Sequence, residues 1–231
     1  MEDFALAQGI IVTDGKLESA TARLVRSGGS GLVRVSDRIV ESGRRRFAIA
    51  HEVGHWLLHA NQSRLLACTD GDMFGSYHSD ALESEASIFA STLLMPDHLF
   101  LPRVANTRPF ARFIKELAGY FGTTLTATAL RYVESSEDYC VFVISEEGRI
   151  RWWRASRAFQ DHELWLDNRS LLPQHSVAAA FFRGEQIPEK AQAIDLKHWL
   201  GDVPGVYSSN VIEQAIPFPS YSQVLSLLWL P

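Results

Sequence analysis

Five consecutive residues constrain this chain more than any others: His51, Glu52, Val53, Gly54 and His55, set within RRRFAIAHEVGHWLLH. On an α-helix, which turns about 100° per residue, positions i and i+4 return to within about 40° of each other. His51 and His55 therefore send both imidazoles toward one point. Glu52 stands a further ~100° round, beside that point rather than on it. Ile49, Ala50, Val53, Trp56 and Leu57 make the segment apolar over most of its circumference, so the pattern predicts a buried helix over about 44–60. Two imidazoles and a carboxylate converging inside a core need partners, and a metal ion satisfies them most simply.

A catalytic zinc takes three protein ligands and keeps a fourth position open. Some HExxH helices draw the third ligand from the same segment, with Gly at position 58 and His at 61 of this numbering. Leu58 and Asn61 stand there instead, so the ligand comes from elsewhere. A second helix is expected, capped by Ser79 or Asp80 and closed by Pro96, with Leu82, Ala86, Phe89, Ala90 and Leu93 at the spacing of one buried stripe. Glu83 and Glu85 border that stripe. Glu83 stands beside Ala86 and Ala90, whose small side chains permit a close helix approach, whereas Glu85 stands beside Leu82, Ile88 and Phe89. Glu83 is the preferred third ligand and Glu85 the alternative. Gly54, without a side chain, leaves room for another element to approach between the histidines. In the chemistry this predicts, a zinc-held water with a pKa near ~7 gives its proton to Glu52 as general base.

RRRFAIAHEVGHWLLH followed by ESEASIFASTLLMP resembles the ImmA/IrrE family of metallopeptidases, whose pattern joins an HExxH helix to E-x-x-A-N-x-F-A-x-x-L-L-M-P. The resemblance is strongest over residues 44–96. It implies an α+β, zincin-like metallopeptidase domain, with His51, His55 and Glu83 holding one Zn2+ per chain and Glu52 as the catalytic glutamate. Ser87 stands where the family usually has Asn, a polar residue one turn after the ligand that orients the histidines. The family also implies a helix-turn-helix-like segment, a C-terminal region similar to a GAF sensor domain, and a protein substrate. That substrate is a helix-turn-helix transcriptional repressor, cut at one or a few sites to relieve repression under stress.

The remaining sequence is divided accordingly. A short N-terminal helix precedes a β-hairpin, ESATARLVR and GLVRVS about the turn SGGSG, and a loop spans 62–79. PFARFIKELAGYF and TLTATALRYVE form a helical pair joined at Gly122 and Thr123. Beyond it, YCVFVISEE and RIRWWRAS form a hairpin about Gly148, followed by a helix near SVAAAFFR and strands ending in VLSLLWLP. The expected domains are 1–107, 108–135 and a C-terminal α+β accessory or sensor domain over 136–231.

A formal net charge of −5 argues against a protein whose main work is gripping nucleic acid. The helical pair offers Arg112, Lys115 and Arg131 against Glu116 and Glu134, with no basic face, so direct DNA binding is not expected. A metal-containing regulatory or DNA-binding protein without peptidase activity is the alternative class. No export signal or membrane span is visible, and Cys68 and Cys140 lack a partner at metal or redox spacing, so a cytoplasmic setting with two ordinary thiols is expected. Tyr77, His78 and His98 are candidates for stabilising an oxyanion, and the Trp152–Trp153 pair is expected to be core. No oligomeric state follows from the sequence.

Overall fold

A computed structural model describes residues 1–18, 20–59, 66–68, 81–161, 165–201 and 208–231. Within the expected loop over 62–79, residues 66–68 form a short strand instead, while the rest of that segment, the end of the first helix at Asn61, the cap at Ser79 or Asp80, and Tyr77 and His78 lie outside the described residues. The chain is mixed α and β and forms two compact units. One comprises Met1–Phe100 with Ala118–Ala127, and the other Leu101–Leu117 with Thr128–Pro231.

The first unit is built around α2 (Ser42–Leu58), preceded by α1 (Glu2–Ala7), β1 (Ile10–Gly15), β2 (Ala22–Ser27) and β3 (Ser30–Ser36), and followed by β4 (Leu66–Cys68) and α3 (Ala81–Leu94). The strands form a sheet in the order β1-β3-β2-β4. The expected hairpin is β2–β3, closed with Ser27 opposite Ser30. Its partner β1 was not foreseen; it runs parallel to β3 from Ile10 opposite Gly31 to Gly15 opposite Ser36. Alternation along the strands turns Ile10, Leu24, Val33 and Val35 to one face, where they meet Ala5 and, from α2, Ile49 and Val53. On another side of α2, Phe47, Ala48 and Ala50 pack with Ala90 and Leu94 of α3, and with Ala22 and Ala127. Covered by the sheet on one side and by α3 on another, α2 is buried from Phe47 through His55. This explains its apolar circumference.

The contact between α2 and α3 is close because of Gly54. A Cβ built there would lie 3.1 Å from the Cα and 3.2 Å from the carbonyl oxygen of Ala86, and 3.1 Å from a ring carbon of Phe89. Two of those neighbours are backbone atoms, which yield only if the helices part.

After α4 (Asp97–Val104) come α5 (Ala111–Phe121) and α6 (Leu125–Ser135), the expected helical pair. The two compact units share this pair. At the turn, Gly122 adopts φ 61°, the left-handed conformation that ends a helix at least cost to glycine, and the Thr123 N–H donates to the Ala118 carbonyl. Arg46 of α2 donates to the carbonyls of Phe121 and Gly122, each at 2.7 Å, which ties the turn into the first unit.

The second unit contains β5 (Cys140–Glu146), β6 (Arg149–Ala155), α7 (Arg157–Asp161), α8 (Val177–Phe182), β7 (Gln192–Asp195), α9 (Leu196–Leu200), β8 (Asn210–Phe218) and β9 (Gln223–Trp229). Its sheet runs β6-β5-β9-β8-β7, antiparallel throughout. The expected hairpin about Gly148 is β5–β6. Val141, Val143, Phe159, Leu172, Trp199 and Leu228 are among its core residues. Trp153 is half-buried against that core and donates from its indole to the Leu166 carbonyl. Cys140 is a buried free thiol, pushed up to about 11 by burial, so it is protonated and inert at neutral pH. Among the described residues, no helix is long and apolar enough to cross a membrane.

The second unit also buries a carboxylate. Glu213 of β8 is fully enclosed and accepts from the backbone N–H groups of Val177 and Ala178, the Trp199 indole and the Ser226 hydroxyl. Burial raises its pKa, and these four donors only partly oppose that. The folded unit therefore holds this proton more tightly than the unfolded chain, so the stability tied to it is full at low pH and declines as pH rises through the folded value.

Two expectations follow. Gly54→Val forces α3 away from α2 and lowers stability by about 1–3 kcal/mol, read from urea unfolding. Glu213→Gln cannot ionise, so its stability varies less than the wild type's as pH is raised from about 4; matching profiles for the two proteins would contradict the buried carboxyl's role.

Candidate metal centre

Helix α2 carries His51, Glu52 and His55, all fully buried, and α3 brings Glu83 to the same point. His51 Nε2 lies 3.0 Å from Glu83 Oε2, His55 Nε2 lies 3.4 Å from the same oxygen, and the two Nε2 atoms are 3.0 Å apart. His51, His55 and Glu83 form the group among the described residues whose ligand atoms converge well enough to hold a metal ion. The approach at Gly54 and Ala86 makes this possible, since Glu83 lies one turn before Ala86 on α3.

The donor set fits a metal. A tetrahedral centre with bonds of about 2.0–2.1 Å has ligand atoms roughly 3.3–3.4 Å apart, close to the three separations above. Both imidazoles use Nε2, which leaves each Nδ1 for an outer partner. For His51 that partner is the Ser87 hydroxyl at 3.2 Å, so serine at this position still reaches the histidine. Burial opposes ionisation of Glu83, but hydrogen bonds from His51 and His55 outweigh it and hold the carboxyl far below its ordinary range. The carboxylate is therefore charged at neutral pH, as a ligand must be.

Glu85, the alternative third ligand, goes elsewhere. Its Oε2 lies 3.0 Å from Nε2 of His59, whose Nδ1 lies 3.0 Å from Nδ1 of His55. Sequence reasoning passed over His59, although His51, His55 and His59 recur every four residues, a signal that was available. His98 is an exposed residue in the first turn of α4, outside the group of three.

Beyond the imidazoles, Arg26 of β2 secures the end of α2. Its guanidinium lies 4.5 Å from the centre of the Trp56 ring and donates to the His55 carbonyl, one of the last acceptors of the helix. His55 is thus restrained at its backbone and at both ring nitrogens.

Over 79 residues, 33% of this chain, the sequence is 32% identical to Metallopeptidase ImmA of Bacillus subtilis (strain 168), of which the match spans 42%. A solved structure, a Mycobacterium tuberculosis transcriptional regulator, superposes with a TM-score of 0.57, covering 99% of this chain and 69% of that one; at 16% identity this is a likeness of fold alone. The IrrE N-terminal-like domain of the M78 peptidases matches residues 7–132, more than half of the 231 residues. The chain therefore belongs to the ImmA/IrrE family of metallopeptidases.

Proposed function

We propose that this protein is a zinc-dependent endopeptidase in which His51, His55 and Glu83 hold the metal and Glu52 is the catalytic base. The observation that carries the reading is the convergence of two Nε2 atoms and a carboxylate oxygen within 3.0–3.4 Å, adjacent to a buried glutamate on the same helix. When bound, zinc supplies Lewis-acid polarisation of a peptide carbonyl and acidifies a water molecule. With the metal held by His51, His55 and Glu83, the Glu52 carboxylate would serve as the base that takes a proton from the attacking water. The same carboxyl then returns the proton to the departing amine nitrogen, so one side chain serves both halves of the hydrolysis. His51 and His55 keep their rings oriented through Nδ1, and the exclusion of solvent around α2 strengthens each of these electrostatic steps.

The substrate in this proposal is a protein, a helix-turn-helix transcriptional repressor cut at one or a few bonds, with a role in transcriptional and stress regulation in the cytoplasm. The ImmA likeness supports the peptidase class, and the family supports the choice of repressor. Selectivity needs surfaces outside the centre, which reads only a peptide bond. The second unit, in this reading a GAF-like sensor, is a source of such a surface.

Purified protein is expected to carry about one zinc per chain by elemental analysis. His51→Ala and His55→Ala lose it, and Glu83→Ala loses more than Glu85→Ala. Glu52→Gln keeps the metal while cleavage falls by about 10²–10⁴-fold; undiminished turnover would remove Glu52 as the base. The substrate is tested by incubating zinc-loaded wild type and Glu52→Gln with candidate repressors and mapping fragments by mass spectrometry. Cleavage at a defined bond by the wild type alone is expected. Ready digestion of unrelated proteins with repressors left intact would leave a general peptidase in place of a regulator.

A further inference from the structure

His59 follows the two motif histidines on the same face of α2, and only 5% of it is exposed. Its ring lies between two partners, with Nδ1 at 3.0 Å from Nδ1 of His55 and Nε2 at 3.0 Å from Oε2 of Glu85. The direction of these bonds follows from the chemistry of imidazole. A neutral ring carries a single N–H, and a ring that offers its Nε2 lone pair to a metal carries that hydrogen on Nδ1. His55, facing the centre through Nε2, then donates from Nδ1 to Nδ1 of His59. Having accepted there, His59 carries its hydrogen on Nε2 and donates it to Glu85, which as a carboxylate only accepts.

We propose that His59 and Glu85 are positioning residues that fix the tautomer and ring orientation of His55 for metal ligation. The inference rests on the metal-site reading given above. It deepens that reading by assigning an outer arm to a ligand: His55 is linked through a second imidazole to a carboxylate, and the Ser87 hydroxyl meets Nδ1 of His51. A hydrogen-bonded carboxylate raises the basicity of a ligating histidine more than a hydroxyl does. The Glu85 side chain is 58% exposed, so solvent weakens its charge, and most of the orienting effect falls to the buried His59. The competing account treats His59 as a space-filling residue at the end of α2, where its backbone N–H also closes the helix onto the His55 carbonyl. Space-filling requires shape but no ring nitrogen.

The test uses the full chain and measures zinc affinity by competition with a chromophoric chelator, with circular dichroism to verify folding. His59→Phe keeps the bulk but removes both nitrogens, and is expected to weaken zinc binding by about 10–100-fold. His59→Asn places an amide oxygen near the position of Nδ1 and recovers part of that loss, while Glu85→Gln, a change at an exposed side chain, weakens binding by a smaller factor. Nitrogen-15 spectra of the zinc-loaded wild type should show His55 with its proton on Nδ1 and His59 with its proton on Nε2. A folded His59→Phe with wild-type affinity, or a His59 protonated on Nδ1, overturns the relay and leaves the metal site standing. A wild type that takes up no zinc sinks the metal-site reading and this inference together. If His59→Phe does not fold, Glu85→Gln and the wild-type tautomers decide, and unchanged affinity with the opposite tautomer rejects the proposal.

Discussion

Three donors from two helices meet at one point only where the helix backbones come close, and in this protein that happens at Gly54 against Ala86. One turn before Ala86, α3 presents Glu83; one residue after it, Ser87 reaches the outer nitrogen of His51. Any side chain at 54 would act on the contact from which both placements follow. The sheet contributes by fixing α2 from its other side, through Ile49 and Val53 against Leu24, Val33 and Val35. Rigid support on both sides keeps the donors within a few tenths of an ångström of a usable geometry, a tolerance that loops seldom provide.

That arrangement has an energetic consequence. Enclosing two imidazoles and two glutamates within an apolar shell is costly unless each polar atom is compensated. Without a metal, Glu83 is held ionised by N–H groups of His51 and His55, so the three residues partly satisfy one another. A metal ion that replaces those protons binds the folded chain and not the unfolded one, and so adds its binding free energy to stability. Site and fold are thermodynamically linked through α2 and α3.

Much of this was legible in the sequence, for reasons that depend on particular residues. The histidine pair is readable because helix geometry alone brings i and i+4 together, and Glu83 is readable because Ala86 and Ala90 mark the face of α3 that can approach a neighbour. The hairpins β2–β3 and β5–β6 are readable from Gly28–Gly29 and Gly148. Other elements are set by distant partners. Strand β1 pairs in parallel with β3, and no local turn announces such a pairing. Helix α4 contains Pro102, which argues against a helix in any local reading. His59 acquires its role from Glu85, 26 residues away, so its spacing from His55 was visible but its partner was not. Glu213 shares a strand face with Val211 and Ala215, and the sequence does not show how a carboxyl is tolerated there until its four donors, all from other segments, are known.

The environments of Glu213 and Glu83 contrast in how their oxygens are partnered. Glu213 receives four N–H and O–H donors, so its acceptor capacity is met by the protein itself and the network is closed. Around Glu83 the atoms facing one another are a carboxylate oxygen and two imidazole Nε2 atoms, each of which donates or accepts according to the tautomer of its ring. When the ring hydrogens sit on Nδ1, these atoms present lone pairs to one another at 3.0–3.4 Å and are relieved by a metal ion among them; when a ring carries its hydrogen on Nε2, it donates to Glu83 instead. The protein brings three potential ligand atoms together where α2 and α3 meet, and the outer nitrogen of each imidazole lies against Ser87 or His59, so that the inner nitrogens are directed inward. On the metal-site reading proposed above, converging Nε2 and carboxylate atoms with oriented outer nitrogens are what a site built around a positive charge requires.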